Sequence, residues 1–374
     1  MHVGLDYTPA IRQGGGIGRL TRGLVQGLSQ VDRENHYSLL VRGRLRPVDL
    51  PANFRVRRLP ISDRLSHVVW HRMGMPLAVD LFTGRLDLFH SLDYLLPPVR
   101  KGARVITVHD LTFLVVPQYA EPKLARYLAR ALPHSIARAS LVLADSEATR
   151  QDLLTLLEVP PEKVEVVYAG VDPSFKRVTD ISRLGRVREK YGLEGPFILN
   201  VGTLEPRKNL EGLVRAFALL RGEARLPHRL ALAGGRGWLY QGLFGLVEEL
   251  GLRELVSFLG YVAEEDLPAL LSLAEAFVYP SFYEGFGLPP LEAMACGAPV
   301  VASTAPCLPE VLGEAALLVD PTDHQALASA VLRVLEDSQL RCTLLAKGTQ
   351  QAAKYTWTAA AERALSLYRR AVEL

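Results

Sequence analysis

Short apolar runs alternate with longer amphipathic stretches along nearly all of the 374 residues. Residues 2–6, 37–42, 54–59, 86–90, 104–108, 140–145 and 164–168 are brief, largely apolar runs bounded by turn residues, and they read as strands. Between them lies helical spacing, as in Leu20, Leu24, Val25 and Leu28. The alternation pauses at the turn Ala169-Gly170-Val171-Asp172-Pro173 and a polar stretch reaching about residue 190, which suits a domain boundary. It restarts at 197–201 and continues through 229–233, 255–258, 276–279, 296–301 and 315–320. Alternating strands and helices imply parallel sheets covered by helices on both faces, with ligands gathering beyond the carboxyl ends of the strands. Ala360, Ala364, Leu365 and Tyr368 give a last amphipathic helix. No repeat or low-complexity tract interrupts the pattern.

Composition sets the class. Hydrophobic residues at 49% can fill full-sized cores, and charged residues at 22% are ordinary for a soluble chain of two or three domains. The longest near-apolar stretch, residues 231–247, is broken by Arg236 and Gln241, so no membrane span is expected. The first residues already form a strand pattern without a signal peptide, so the expected location is the cytoplasm. Cys296, Cys307 and Cys342 are odd in number and lack CxxC spacing. That argues against a disulfide framework or a zinc site, and they read as core or near-core thiols. The net charge of +3 comes from a basic first half, where Arg42, Arg44, Arg46, Arg55, Arg57, Arg58 and Arg64 cluster. The cluster reads as a solvated basic face, or as attraction to an anionic membrane surface or phosphorylated lipid acceptor. Aromatics are not interleaved with it, so nucleic acid is not an expected partner.

The chemistry concentrates at residues 276–302. A buried strand leads into a loop with Glu284, Gly285 and Gly287, and Pro289 or Pro290 opens a helix that ends at Gly297. Free amides at such a helix start favour anions. Glu284 before the helix and Glu292 within it would repel phosphate themselves but accept hydrogen bonds from hydroxyls on either side of one. A sugar and a ribose flanking a phosphate match that pattern. The plain alternative is a solvated loop Glu and a Glu favoured by the helix dipole.

Arg207 and Lys208, at another strand-to-helix turn, suit a diphosphate, and as a merely solvated pair they would oppose the helix dipole. Gly14, Gly15 and Gly16 lie between a strand and a helix but do not meet the dinucleotide fingerprint. His109 and Asp110 follow the strand at 104–108, where His109 is a structural hydrogen-bonder or a cleft group. Asp110 is a cleft carboxylate or the cap of the next turn. Ser146 reads as a helix cap, with Arg150 one turn on as an acceptor-phosphate contact or an ordinary helix residue. No Asp-x-Asp occurs, so the common metal–diphosphate motif is absent from the sequence.

Glu284-x7-Glu292 within YEGFGLPPLEAMACGAPVV closely resembles the signature of the retaining glycosyltransferase family 4. TVHDLTFL resembles a subgroup that includes mannosyl- and rhamnosyltransferases, and AGVDP is similar to the family's hinge. The resemblance covers almost the whole chain and is strongest over residues 197–320. It implies the α/β GT-B fold, two Rossmann-like domains facing across a cleft. Residues 1–172 would form the acceptor side and 173–354 the nucleotide-sugar donor side. Residues 355–374 would form a helix crossing back to the first domain.

Carried over residue by residue, the resemblance makes Glu284 and His109 the catalytic contacts to the donor sugar. The donor would be held by Lys208, by residues Gly285, Phe286, Gly287 and Leu288, by Glu292 at the ribose, and by Val262 near the base. Gly15 and Gly16 would approach the donor phosphate and the acceptor, while Asp110 and Arg150 are acceptor-side candidates from their positions alone. One departure stands out, since Thr203 occupies a position where many members carry Arg, and Arg207 is the substitute at hand. The implied activity is retaining hexosyl transfer from a nucleotide sugar, GDP-mannose first and UDP-glucose next, to a glycan, lipid-linked or small-molecule acceptor. Neither metal nor other cofactor is expected. The same fold hosts epimerases and phosphorylases. A non-catalytic sugar-nucleotide-binding subunit is the other alternative, against which the joint presence of Glu284, Glu292 and Lys208 argues.

Overall fold

The computed structural model describes residues 1–42, 50–59, 70, 77–223 and 226–374. Its contacts divide the chain into two units, Met1–Gly170 with Tyr355–Leu374, and Val171–Lys354. Each holds one parallel sheet with helices over it, as the alternation implies, and together they match the two Rossmann-like domains that the resemblance implies.

The first sheet comprises β1 (His2–Asp6), β2 (His36–Val41), β3 (Phe54–Arg58), β4 (Leu88–Ser91), β5 (Ala103–Val108), β6 (Leu141–Ala144) and β7 (Val164–Val166). They lie in the order β3-β2-β1-β4-β5-β6-β7. Central strands are apolar on both faces because helices cover both, and Val3, Leu5, Val105 and Leu141 are fully buried. The order reverses between β1 and β4, and such a reversal opens a crevice at the carboxyl ends of the two strands. The second sheet comprises β8 (Phe197–Val201), β9 (Arg229–Ala233), β10 (Val256–Gly260), β11 (Ala276–Tyr279), β12 (Val300–Ser303) and β13 (Ala316–Val319). Its order is β10-β9-β8-β11-β12-β13, with the reversal between β8 and β11.

The last helix, Trp357–Glu373, belongs to the first unit and packs along Gly16–Val31. Its Tyr368 hydroxyl meets His90 Nδ1 at 2.7 Å inside the core. Caps appear where short polar residues precede helices. Ser146 Oγ accepts from Thr149 N at 3.1 Å, and Asp180, Asp323, Asp337 and Thr356 cap later helices in the same way.

Three details differ from the sequence reading. A short helix, Thr8–Arg12, stands between β1 and the glycines, so the first loop is tighter than a single open run. Arg42 does not belong to a solvated face. It is half-buried, paired with Asp6, and stacks 5.5 Å from the centre of the Trp70 ring. Arg55, Arg57 and Arg58 are exposed on edge strand β3, where charge discourages pairing with another chain, and Arg44, Arg46 and Arg64 lie outside the described residues. Cys296 and Cys307 are buried, whereas Cys342 is exposed, because it faces outward on the helix Ser338–Ala352. Among the described residues no helix is long and apolar enough to cross a membrane.

Candidate functional site

Two polar clusters stand at the carboxyl ends of strands, one in each unit. In the second unit, the loop after β8 and the loop after β11 are tied together at the sheet's reversal point. The turn Pro206–Lys208 closes on Asn209, which adopts the left-handed conformation at φ 53°. Asn209 Nδ2 donates to the carbonyls of Pro280 at 3.1 Å and Pro321 at 2.6 Å, and Phe282 N donates to Arg207 O at 2.9 Å. These bonds bring Arg207 and Lys208 against Glu284. Lys208 Nζ donates to Glu284 Oε1 at 2.5 Å and to the Tyr279 hydroxyl at 2.8 Å. Arg207 Nη1 donates to Glu284 Oε2 at 2.8 Å and to Tyr283 O at 2.9 Å, while its other side meets Glu205 Oε1 at 2.9 Å.

Glu284 is 6% exposed. Burial alone would raise its pKa, but Arg207 and Lys208 outweigh burial and hold it at about 2. Burial and then the Arg207 charge lower the pKa of Lys208, while Glu284 and Glu205 support its charged form. Burial and the Glu284 charge push the Tyr279 phenol well above its ordinary value. The cluster thus holds two cations and two carboxylates. Its formal charges balance.

The loop in front of Glu284 is shaped by packing. Gly287 sits at φ 95°, and a Cβ there would stand 2.6 Å from Leu308 Cδ2, so conformation and space both demand glycine. Cys307 Sγ donates to Phe286 O at 3.4 Å, and burial keeps that thiol protonated. The helix Leu288–Ala295 follows directly, with Pro289 and Pro290 in its first turn. Pro289 and Pro290 remove two of the N–H groups an ordinary helix start would offer. Glu292 lies on this helix at 2% exposure. Val262, buried, follows β10, whose Gly260 carbonyl accepts from Gly234 N at 2.8 Å.

The first unit's cluster joins the ends of three strands. His109, after β5, places Nδ1 2.7 Å from Asp145 Oδ2 after β6, and Nε2 3.1 Å from the Leu92 carbonyl after β4. Burial alone would lower its pKa, but Asp145 and then Asp93 outweigh burial and raise it to about 9. His90 is fully buried between the Tyr368 hydroxyl and Thr107 Oγ1, the latter at 2.8 Å. Burial and the nearby His109 push its pKa down to about 3, so it is neutral. Asp93 Oδ1 accepts from Tyr94 N at 2.8 Å, and burial raises that carboxyl. Asp110 Oδ1 accepts from Thr112 N at 3.0 Å, which closes the next turn. Arg150 pairs with Glu147 at 2.7 Å and donates to Val164 O at 3.3 Å. Gly15 caps the helix Gly16–Val31, and a Cβ on Gly15 or Gly16 would meet nothing within 4 Å, which leaves room for another molecule.

Sequence reasoning missed Glu205, Tyr279, Asp93, Asp145 and His90. Asp145 and Asp93 were within reach, because each follows a strand just as His109 does. His90 carried no such signal, since its partner Tyr368 is 278 residues away. Among the described residues no group of three His, Cys, Asp or Glu side chains is arranged to hold a metal ion.

Known proteins share this chain's pattern. The family model described as "Glycosyl transferases group 1" matches residues 186–351, and "Glycosyltransferase Family 4" matches residues 14–175. The O-antigen chain mannosyltransferase B of Escherichia coli is 38% identical over 284 residues, 75% of this chain and 74% of that protein. The serotype-specific mannosyltransferase WbdA of Escherichia coli is 34% identical over 240 residues, 63% of this chain and 29% of that longer protein. The solved structure of a sucrose-phosphate synthase from Thermosynechococcus elongatus covers 99% of this chain and 98% of its own. It matches with a TM-score of 0.78 at 24% identity, a likeness of fold.

Proposed function

The chain belongs to glycosyltransferase family 4, with the GT-B fold and hexosyltransferase activity, and on that premise we propose that it moves mannose from GDP-mannose to a glycan acceptor with retention of configuration. One observation carries the reading most. Glu284 is held ionised between Lys208 and Arg207 at the reversal point of the second sheet, behind a glycine loop. Mannose is favoured over glucose by the similar O-antigen mannosyltransferases, and UDP-glucose is the next donor. The acceptor is a glycan, free or lipid-linked, and the work is cytoplasmic.

The chemistry follows from where charge develops. As the bond to the anomeric carbon lengthens, negative charge grows on the departing diphosphate and must be met by fixed donors. Lys208, Arg207 and the amides of residues 285–288 supply them, without a metal. Glu284, too acidic to be protonated near neutral pH, accepts from sugar hydroxyls. Glu292 holds the ribose, Val262 borders the base, and Gly15 and Gly16 approach the phosphate. His109 contacts the sugar, and Asp110 and Arg150 serve the acceptor side. Exposed Arg55, Arg57 and Arg58 would draw a lipid-linked acceptor's anionic surface.

The test is transfer from GDP-mannose and UDP-glucose to a mannose-terminated oligosaccharide in excess EDTA, with Lys208→Ala in parallel. The expected outcome is mannosylated product of retained configuration, with Lys208→Ala slowing turnover at least tenfold, the loss of one charged donor. Activity restored only by Mg²⁺ would overturn the metal-free route. Donor consumed without acceptor would point to an epimerase instead.

A further inference from the structure

The geometry points to Asp145 as the positioning residue that keeps His109 doubly protonated, so that His109 acts as a fixed positive charge and never as a proton-transfer group. The partners fix the protons. Leu92 offers His109 Nε2 a carbonyl oxygen, which can only accept, so Nε2 carries hydrogen. Asp145 offers Nδ1 a carboxylate oxygen at 2.7 Å, which when ionised also only accepts. Both acceptors are satisfied together only by the imidazolium. A general base needs one bare ring nitrogen and a general acid must be able to give its proton up, and this arrangement provides for neither.

Carboxylates on two neighbouring elements favour the charge against the cost of burial. Asp145 stands after β6 and Asp93 after β4, both negative when ionised, and Asp110 is the next residue in the chain. Beyond Asp93 lie Asp6 and Arg42, which pair with each other. His90 on β4 is kept neutral by its own burial, so it adds no second positive charge. Tyr94 presents its ring edge-on, 5.9 Å between centres. Thr149 Oγ1, on the helix Glu147–Leu156, donates to the His109 carbonyl at 3.4 Å. The remaining wall is a cavity of about 30 Å³ where Leu20, Leu24, Val167 and Trp357 face the pair. Those residues carry no charge, and a low-dielectric wall strengthens an ion pair beside it.

The consequence for turnover rests on the sugar contact proposed for His109, whereas the protonation state does not. Histidine-labelled full-length protein gives that state directly, through the ¹⁵N shifts of both ring nitrogens from pH 6 to 9, assigned with His109→Gln. At pH 8 both nitrogens of His109 should be protonated. In Asp145→Asn the same signals should titrate near the ordinary histidine value of about 6.5. Its kcat should then fall roughly 25-fold between pH 6 and 8, with KM for the donor changing less, while the unmodified protein stays flat. Asp145→Glu should restore the flat profile. A neutral His109 at pH 8 in the unmodified protein would overturn the inference, as would an imidazolium that survives in folded Asp145→Asn. A variant that loses the charge yet keeps a flat profile would overturn the role given to it. The expected shifts in a protein that transfers no sugar would uphold Asp145's hold on His109 and count against the transferase reading alone. Should Asp145→Asn fail to fold, the shifts of the unmodified protein and of Asp145→Glu decide.

Discussion

Arg207 aims much of its guanidinium at carboxylates, with Glu205 on one side and Glu284 on the other. The sequence showed two adjacent cations and suggested a diphosphate clamp, but Glu205, only two residues earlier, cancels one of them. Its side chain folds back because Pro206 begins a tight turn, which residue spacing alone does not reveal. Thr203 leaves the cancellation uncompensated. Glu205→Gln should therefore raise affinity for a nucleoside diphosphate several-fold, since a like charge beside the proposed phosphate site is removed where water screens weakly. Titration calorimetry with GDP gives the answer, and unchanged or weaker binding would show that Glu205 instead holds Arg207 in place. The same limit explains His109. Its position after a strand marked it in the sequence, but its charge depends on Asp145, 36 residues on and brought near only by strand order.

At the level of elements, most strands were legible within a residue or two, because covered parallel strands are apolar runs between turn residues. The helix Thr8–Arg12 was not, since five residues are too few to show a helical period. How helices meet was hidden as well. Trp357, at the start of the last helix, lies against glycines of the helix Gly16–Val31. A Cβ on Gly23 would stand 2.0 Å from the Trp357 ring, and one on Gly27 would stand 2.1 Å from the Trp357 carbonyl. Glycine inside a helix ordinarily weakens it. In the structure these glycines are what allows the last helix to approach. Gly27→Ala should destabilise the protein by about 1–3 kcal/mol through overpacking. Gly185, exposed on the helix Ile181–Lys190 with nothing within 4 Å of a Cβ, should respond oppositely, Gly185→Ala stabilising by about 0.5–1 kcal/mol. Urea unfolding of both variants tests the contrast, and equal effects would show that the close approach to Trp357 relaxes freely.

For the whole molecule, the two units should differ in how pH affects them. His109, raised to about 9 from 6.5, stabilises its unit fully below pH 6.5, and that stabilisation is lost as pH rises toward 9. His90 works the other way. Its folded pKa of about 3 means its contribution is present above pH 6.5 and is lost as pH falls toward 3. Together they place the first unit's greatest stability near pH 6.5, with a decline on both sides. In the second unit, Glu284 is lowered from 4.5 to about 2, so its contribution is whole above pH 4.5 and disappears only as pH falls toward 2. Lys208, lowered by burial, takes nothing from that unit as pH rises to 9. Net charge and composition carry no trace of this division. It depends on pairs far apart in the chain, 77 residues for Arg207 with Glu284 and 278 for His90 with Tyr368. Hydrogen exchange corrected for intrinsic rates at pH 5, 6.5 and 9 should show protection in β4, β5 and β6 highest at 6.5. In β8 and β11 it should be nearly constant. His109→Gln should flatten the alkaline decline of the first unit alone. Parallel profiles in the two sheets would mean that these buried pairs do not govern the pH response.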